Sequence, residues 1–301
     1  MRRHTFLGET MSRIKFVVAA VCYKCIQWAR GPSDVDRSNL AVFAGDDLGL
    51  RIACLGEFES EVLSYLRRSL WPEVKNKVFL DVGANAGNHS LGLADHFAHC
   101  HAFEPDPRTY KLLELNTAEL DNITTHQIAL SNRNDLVEFC HDHVNTGKSH
   151  IIDRSDKQAS EVASNMTVQT RRLDDLDLAS EQIGLIKIDV EGHETQVLEG
   201  ARSILHRHKP HVMIELLASD IFNNRAASLD FLAGIGYNNF TSLEVRTLRI
   251  GFIHDIASLR WINHVLTGLF IIFRGVNAAK AVPLDISALE TKNYDAILVS
   301  M

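Results

Sequence analysis

The feature that most constrains this chain is a glycine-rich turn that follows an apolar run, at residues 78–88 (VFLDVGANAGN). Gly83 and Gly87 allow backbone dihedral angles that other residues avoid, and they let the backbone approach a ligand closely. A second predicted strand, at 99–103, is followed by Glu104. In nucleotide-binding parallel sheets, an acid at about this distance beyond the turn hydrogen-bonds the ribose hydroxyls. The turn and the acid together predict a nucleotide-type cofactor at a sheet edge.

Strand-like and helix-like segments alternate through the middle of the chain. Asp106 and Pro107 form a typical helix start, with Asp106 as the N-cap. This alternation predicts an α/β fold with a doubly wound, mostly parallel sheet and helices on both faces. We place a hairpin at 40–53 and strands at 77–82, 99–103, 124–130, 136–140, 185–189 and 211–216. Further β-rich runs lie at 243–250, 269–273 and 296–299, and the last of them is expected to complete the sheet. The predicted helices lie at 58–70, 90–97, 106–120, 194–206 and 229–235.

The residues of the turn discriminate between cofactors. A dinucleotide site uses a middle glycine to admit the pyrophosphate, but this chain has Asn85 at that place and the carboxylate of Asp81 before the turn. A carboxylate there would repel a pyrophosphate and would suit a cofactor with a cationic amino-acid end. S-adenosylmethionine meets that description, with an ammonium, a sulfonium and no phosphate. A nicotinamide-dependent oxidoreductase is the less favoured alternative.

A second group of acids lies at the end of a predicted strand, in Ile186–Glu194 (IKIDVEGHE). The carboxyl ends of parallel strands are where doubly wound folds bind ligands, and Asp189 and Glu191 lie there. Glu215 ends a neighbouring predicted strand and could join them. Carboxylates in this place predict either a general base for a substrate hydroxyl or ligands for Mg²⁺.

A purely structural interpretation of the same segment stays open. In that interpretation Lys187 pairs with Asp189, Glu194 caps a helix, and Glu191 is solvated. His193 has the pKa range of a general base, but it lies at a helix start and could simply be exposed. The pair His141 and His143 falls in a polar stretch, where exposure is expected.

Several motifs of the chain, taken in order, resemble the FkbM family of methyltransferases. The resemblance covers about residues 40–237 and includes these segments: Gly56–Glu59, Leu80–Gly87, Phe103–Pro105, Ala129–Ser131, Asn145 with Gly147, Lys187–Glu194, Leu198–Ala201, Pro210 and Glu215. It implies a Rossmann-like class I methyltransferase fold, with a seven-stranded sheet whose last strand is antiparallel. It also implies O-methylation, often of a sugar or polyketide hydroxyl.

The resemblance also implies roles for individual residues. The methionine end of S-adenosylmethionine would be held by Asp81, Gly83, Asn85 and Gly87, together with Glu59. Glu104 would hold the ribose, and Ala129 and Leu130 would border the adenine. Two alternatives remain: a protein that binds the cofactor without catalysis, and a methyltransferase for a nitrogen, protein or lipid acceptor.

Composition limits the partners of the chain. The formal net charge of -7 argues against nucleic acid, because phosphate binding needs a basic face. The five cysteines are scattered, and Cys22 and Cys25 form a lone CxxC, which favours reduced thiols in a cytoplasmic protein. We expect a small-molecule or glycan acceptor. The composition does not indicate the oligomeric state.

We predict an N-terminal helical extension at 1–39 and a methyltransferase domain at 40–301. The apolar run near residue 16 is too short to cross a bilayer, although its basic flanks permit weak contact with a membrane surface. Within the domain, 141–167 is expected to be a polar, irregular insertion, either a mobile lid or a surface loop. The region 240–293 is expected to be irregular and to lie beside the acceptor.

Overall fold

A computed structural model describes residues 40–43, 56–142, 149–152, 163–178, 182–223, 225–244 and 279–301, and the single positions Val21, Lys24, Gly49 and Ile52. The strands are β1 Val78–Val82, β2 His99–Phe103, β3 Ile123–His126, β4 Ala129–Leu130, β5 Asp135–Asp142, β6 His150–Ile151, β7 Ala163–Arg171, β8 Ile183–Ile188, β9 His211–Leu216, β10 Ile221–Phe222, β11 Arg225–Ala226, β12 Asn239–Glu244, β13 Lys280–Pro283 and β14 Tyr294–Ser300. The α-helices are α1 Ser60–Leu70, α2 Asn88–Leu93, α3 Pro107–Thr117, α4 Glu194–Gly200, α5 Arg202–His208 and α6 Ala227–Gly234.

The main sheet has the strand order β13-β12-β14-β9-β8-β1-β2-β3. Strands β3, β2, β1, β8 and β9 are parallel neighbours, and β14 is antiparallel to both β9 and β12. Strands β2 and β3 lie on one side of β1, and β8 and β9 lie on the other, so the order in which strands are added reverses at β1. The carboxyl ends of β1, β2, β8 and β9 therefore meet at one edge, where open α/β sheets bind ligands.

The alternation of side chains along the central strands builds a core on each face of the sheet. Phe79, Leu185 and Met213 pack on one face against helix α1. Leu80 and Ile186 pack on the opposite face, against helices α4, α5 and α6. Both faces are therefore covered, which is why β1 and β8 are buried along their whole length.

The predicted fold class is confirmed, and the predicted number of strands is wrong. Seven strands form the expected mostly parallel sheet with an antiparallel β14, but an eighth, β13, adds to the edge beside β12. Its side chains are mostly exposed, so it lacks the apolar pattern by which a strand is recognised. The predicted strand 124–130 is two strands, because β3 pairs with β2 whereas β4 pairs with β7 in another sheet.

Some predicted helices are shorter or interrupted. The N-cap at Asp106 is confirmed, since its side chain accepts hydrogen bonds from the backbone N–H groups of Arg108 and Thr109. The predicted helix 194–206 divides at Ala201 into α4 and α5. The hairpin predicted at 40–53 is wrong where it can be compared, because residues 40–43 form no strand and Gly49 and Ile52 have helical backbone.

The second sheet extends into the region 141–167, which was expected to be irregular. It has the order β4-β7-β5-β6 and packs Ala129, Phe139 and Val168 together. Within the stretch 141–167, the described residues are the end of β5, strand β6 with its neighbours, and the start of β7. The stretch therefore contributes paired strands, because β5 and β7 continue their antiparallel ladder as far as Asp142 and Ala163.

Several predictions fall outside the described residues: most of the N-terminal extension 1–39, the CxxC at Cys22 and Cys25, the β-rich run 269–273, and most of the region 240–293. Within the described ranges the cysteines are Cys100 and Cys140, and both are buried. In the part of the chain that the structure describes, no helix is both long enough and apolar enough to span a lipid bilayer.

Candidate functional site

The glycine-rich turn packs directly on the end of β8. Gly83 has a φ of 78°, and a Cβ atom built on it would lie 1.9 Å from the backbone oxygen of Asp189. Asn85 and Gly87 also have positive φ values, 50° and 92°. The backbone N–H groups of Gly83 and Ala84 both donate to the Phe103 carbonyl of β2. Only this glycine-rich backbone fits between the ends of three neighbouring strands.

Lys187 is a buried ammonium group that joins the turn to the acids of the sheet edge. Its Nζ atom donates to the Gly83 carbonyl at 3.1 Å. The same atom lies 3.1 Å from Asp189 Oδ2 and 3.5 Å from Asp81 Oδ1. Burial acts to lower the pKa of Lys187, but the Asp189 and Asp81 carboxylates outweigh it and raise that pKa. Lys187 therefore stays charged at neutral pH.

Asp81 lies beneath the turn rather than at its surface. Its side chain is fully buried, and its Oδ2 atom accepts a 2.6 Å hydrogen bond from Ser90 Oγ. Its other oxygen faces Lys187. Burial with a hydrogen bond and an ion pair keeps this carboxylate in a fixed place, from which its charge acts on anything bound above the turn.

Asp189 and Glu215 form a pair of carboxyl groups that share one hydrogen bond. Burial, reinforced by the charge of Asp189, raises the pKa of Glu215 to about 11. Burial also acts to raise the pKa of Asp189, but the Lys187 ammonium and the Glu215 hydrogen bond hold it below its ordinary value. At neutral pH the proton is therefore on Glu215 and the negative charge is on Asp189.

The three acids predicted for catalysis are close together. Asp189, Glu191 and Glu215 each offer a carboxylate oxygen, and these atoms lie within 4.8 Å of one another. Glu191 is half-buried and has a φ of 54°. A divalent cation at this place would have to bind beside the Lys187 ammonium and displace the proton of Glu215. The arrangement thus fits a hydrogen-bonded acid pair with an ammonium partner better than a metal site.

Glu104 is buried at the end of β2, where it ties that strand to the turn. Its Oε2 atom accepts from the Asn85 backbone N–H at 3.1 Å, and its Oε1 atom accepts from the Asp106 N–H at 2.9 Å. Burial raises the pKa of Glu104 to about 8, and the nearby Asp106 carboxylate adds to this. When Glu104 is ionised, each oxygen keeps a further lone pair, so the group can then accept two more hydrogen bonds.

Glu59 is brought to the site by an unusual local conformation. It has a φ of 52° immediately before helix α1, and its Oε2 atom lies 3.1 Å from His89 Nε2 of α2. The neighbouring Phe58 backbone is held from both sides by the Asn88 side chain, at 2.9 Å for each hydrogen bond. Because α2 begins directly after the turn, these contacts place Glu59 beside it.

Ala129 and Leu130 are buried in β4, at the edge of the second sheet. The next residue, Ser131, has its hydroxyl 2.9 Å from His193 Nε2. The segment predicted to border the adenine is thus linked to the loop that follows Asp189. This contact gives His193 a structural partner.

Glu194 organises the loop between Asp189 and helix α4. Its Oε1 atom accepts from the backbone N–H groups of Val190 and Gly192, at 3.2 and 3.1 Å. Burial raises its pKa to about 7. The structural interpretation is therefore correct for the pairing of Lys187 with Asp189. The predicted helix cap at Glu194 is wrong, because its side chain binds the loop before helix α4 and makes no cap hydrogen bond to the helix. Glu191 belongs to the acid cluster.

Sequence patterns gave no indication of three buried contacts at this site. They are the pairs Ser90–Asp81, His89–Glu59 and His141–Asp106. The expectation of an exposed His141 is wrong, since only 1% of its surface is exposed. Ser90 and His89 follow the turn and could have been suspected from that position, but His141 is distant in sequence and carries no local motif.

Residues 81–245 match the methyltransferase FkbM domain, which is more than half of the chain. The match begins at Asp81 and includes Glu104, Asp189 and Glu215. This chain belongs to the FkbM methyltransferase domain family. The family that the motifs predicted is therefore confirmed.

Two curated proteins are similar to this member of the family. The 2-O-methyltransferase NoeI of Sinorhizobium fredii is 31% identical over 154 residues, covering 44% of this chain and 60% of that protein. The hexuronic acid methyltransferase AglP of Haloferax volcanii is 29% identical over 134 residues, covering 44% of this chain and 52% of that protein. The chain thus matches little more than half of each relative.

Among solved structures, an FkbM methyltransferase from Methylobacillus flagellatus is similar, with 19% sequence identity and a TM-score of 0.42. The alignment covers 78% of this chain and 57% of that one. A SAM-dependent O-methyltransferase from Thermotoga maritima has 10% identity and a TM-score of 0.39, with 85% and 71% of the two chains covered.

Proposed function

We propose that this protein is an S-adenosylmethionine-dependent methyltransferase that acts on a hydroxyl group of a sugar or glycan. The observation that carries the proposal is the charge balance at the sheet edge. The carboxylates of Asp189, Asp81 and Glu59 all act on the buried ammonium of Lys187. Acids therefore outnumber the buried cation, which favours a ligand with cationic groups and disfavours a pyrophosphate.

The residues at the edge fit S-adenosylmethionine, which has two cationic groups and no phosphate. When bound, this cofactor supplies a methyl group that its positive sulfur has already activated. The turn offers close-packed backbone, Glu104 offers free lone pairs to a ribose, and β4 offers a buried apolar edge. We assign the methionine end to Gly83, Asn85, Gly87 and Glu59, with Asp81 acting through its charge, the ribose to Glu104, and the adenine border to Ala129 and Leu130.

We assign the proton of the acceptor hydroxyl to Asp189. It is the ionised member of the acid pair, it is about one-third exposed, and Lys187 with Glu215 fixes its orientation. Glu215 holds its own proton at neutral pH and therefore serves as a hydrogen-bond donor to Asp189 rather than as a base. We assign the binding and orientation of the acceptor to Glu191, which is half-buried and close to both acids.

Metal dependence is the second possibility for these acids. Because Lys187 already supplies a positive charge 3.1 Å from Asp189, the proposed reaction needs no Mg²⁺ to stabilise that carboxylate. We therefore expect turnover to persist in a chelator. Loss of activity with EDTA and recovery with Mg²⁺ would instead favour the metal site.

The acceptor class rests on the two curated relatives, whose names specify a 2-O-methyltransferase and a hexuronic acid methyltransferase. Hydroxyl-rich acceptors match a site with partly exposed acids, since Asp189 and Glu191 can accept hydrogen bonds from several hydroxyls. Methylation of a nitrogen, protein or lipid group, and cofactor binding without catalysis, are the alternatives. An acceptor screen with labelled methyl donor separates them.

The test begins with ligand binding and ends with turnover. We expect S-adenosylhomocysteine, but not NAD, to raise the melting temperature. In the screen, Asp189→Asn is expected to keep S-adenosylhomocysteine affinity and to lose turnover by about 10²–10⁴-fold. Asp95→Asn changes an exposed acid elsewhere and serves as the matched control. Full turnover by Asp189→Asn would contradict the role of Asp189. If the wild-type protein bound neither S-adenosylmethionine nor S-adenosylhomocysteine, the proposed function would be contradicted.

A further inference from the structure

His141 is a buried histidine with a buried acid as its partner. It lies near the end of β5 in the second sheet, and its Nδ1 atom contacts Asp106 Oδ2. The exposed fractions of both residues are 1%. A contact between two groups so far from solvent orients both of them, because neither can turn to water instead.

Asp106 divides its polar atoms among three tasks. Its Oδ1 atom caps helix α3 by accepting from the N–H groups of Arg108 and Thr109, at 2.7 and 3.1 Å. Its own N–H donates to Glu104 Oε1 at 2.9 Å. Its Oδ2 atom remains for His141. The imidazole is therefore joined through a single residue to the acid that we assign to the ribose.

The charge of Asp106 also acts on Glu104. That nearby carboxylate adds to the effect of burial in raising the pKa of Glu104. A donor on Asp106 Oδ2 draws part of this charge away from Glu104. If that donor were lost, Asp106 Oδ2 would accept no hydrogen bond from it, and the full charge of the Asp106 carboxylate would act on Glu104. The pKa of Glu104 would then rise further, so Glu104 would hold its proton more tightly.

The sheet that carries His141 also carries the proposed adenine border. Strand β5 pairs with β7, and β7 pairs with β4, which contains Ala129 and Leu130. The second sheet thus reaches the cofactor site at two places: directly through β4, and through Asp106 by way of His141.

We propose that His141 is a positioning residue for the cofactor site, which donates to Asp106 and thereby keeps the Glu104 carboxylate available to the ribose hydroxyls. This inference rests on the proposed function. It assigns the second sheet a part in ligand binding, and it gives the buried His141–Asp106 contact a purpose beyond packing.

The experiment compares S-adenosylhomocysteine with its 2′-deoxy analogue by calorimetry. Wild-type protein is expected to prefer the ribose form, and His141→Leu to lose about tenfold of that preference, the effect of one weakened charge-assisted hydrogen bond. His141→Asn keeps an N–H donor and is expected to retain most of it. His150→Leu, on β6 of the same sheet, is the matched control and should match wild type.

Asp106→Ser separates the electrostatic role from a structural one. Serine can still cap helix α3, and the substitution removes the charge beside Glu104. We therefore expect Asp106→Ser, alone or combined with His141→Leu, to keep the ribose preference. The double variant buries no unpaired charge, so it remains informative if His141→Leu fails to fold.

The outcomes are distinguishable. The proposal is overturned if folded His141→Leu keeps the wild-type preference, or if Asp106→Ser and the double variant lose the preference. Failure of the wild-type protein to bind either ligand refutes the proposed function and removes this proposal with it. Loss of preference in His141→Leu, with recovery in the double variant, supports it.

Discussion

Replacement of Lys187 by methionine tests the electrostatic core of the site. The substitution keeps the length of the side chain but removes an ammonium that lies 3.1 Å from Asp189 and 3.5 Å from Asp81. At an effective dielectric constant of about 20, each attraction is worth about 5 kcal/mol before desolvation. Since burying the ammonium opposes this gain, we expect a net loss of about 3–5 kcal/mol in unfolding free energy, as for other broken buried pairs.

The loss of stability should depend on pH in a defined direction. The folded-state pKa of Asp189 is lowered, so its contribution to stability is present above the ordinary aspartate value, near 3.9. That contribution disappears as the pH falls through the folded-state pKa. The difference between wild type and Lys187→Met is therefore expected to be largest at neutral pH and to shrink in acid.

Activity should respond as well. Without the ammonium, burial raises the pKa of Asp189, so the acid limb of the kcat/KM profile is expected to move up by about one unit or more. Urea unfolding followed by circular dichroism measures stability, and Lys77→Met is the control, because Lys77 forms an exposed pair with Glu73 worth under about 1 kcal/mol. Equal effects of the two substitutions, with an unmoved acid limb, would refute the reasoning.

Three further predictions concern the turn and the two acids with raised pKa values. Gly83→Ala should lower the unfolding free energy by roughly 3 kcal/mol or more, because the new Cβ atom would lie 1.9 Å from the backbone oxygen of Asp189 and the residue has a φ of 78°. Thermal unfolding measures this loss, and a variant as stable as wild type would contradict the prediction. Because the pKa of Glu104 is raised to about 8, binding of S-adenosylhomocysteine at neutral pH should release close to one proton and strengthen as the pH rises to about 8. Calorimetry in buffers of different ionisation enthalpy detects that proton, and Glu104→Gln should abolish it. Glu215→Gln should change turnover by less than about threefold, because the amide N–H of glutamine replaces the O–H donor of the neutral Glu215 carboxyl group. A large loss that extra Mg²⁺ restores would instead indicate a metal ligand.

The sequence by itself was sufficient for the parts of this protein that follow from local pattern. The turn at 83–87 needs glycine at Gly83, because the backbone there packs directly on the backbone of Asp189. The mostly apolar runs at 78–82 and 183–188 are typical of strands that are buried on both faces. The order of these motifs was enough to predict the fold class and the family. The proposed site residues came from the same source, because ligands bind where parallel strands end.

Only the tertiary structure decided which acids carry protons and which distant residues support them. Asp189 and Glu215 look alike in sequence, yet Asp189 lies beside the Lys187 ammonium, whereas burial and the Asp189 charge act on Glu215, so their pKa values move in opposite directions. His141 is brought to Asp106 by the ladder between β5 and β7, and no local pattern records that pairing. Electrostatic energies depend on distance and burial, and for residues far apart in sequence both quantities exist only in the folded chain.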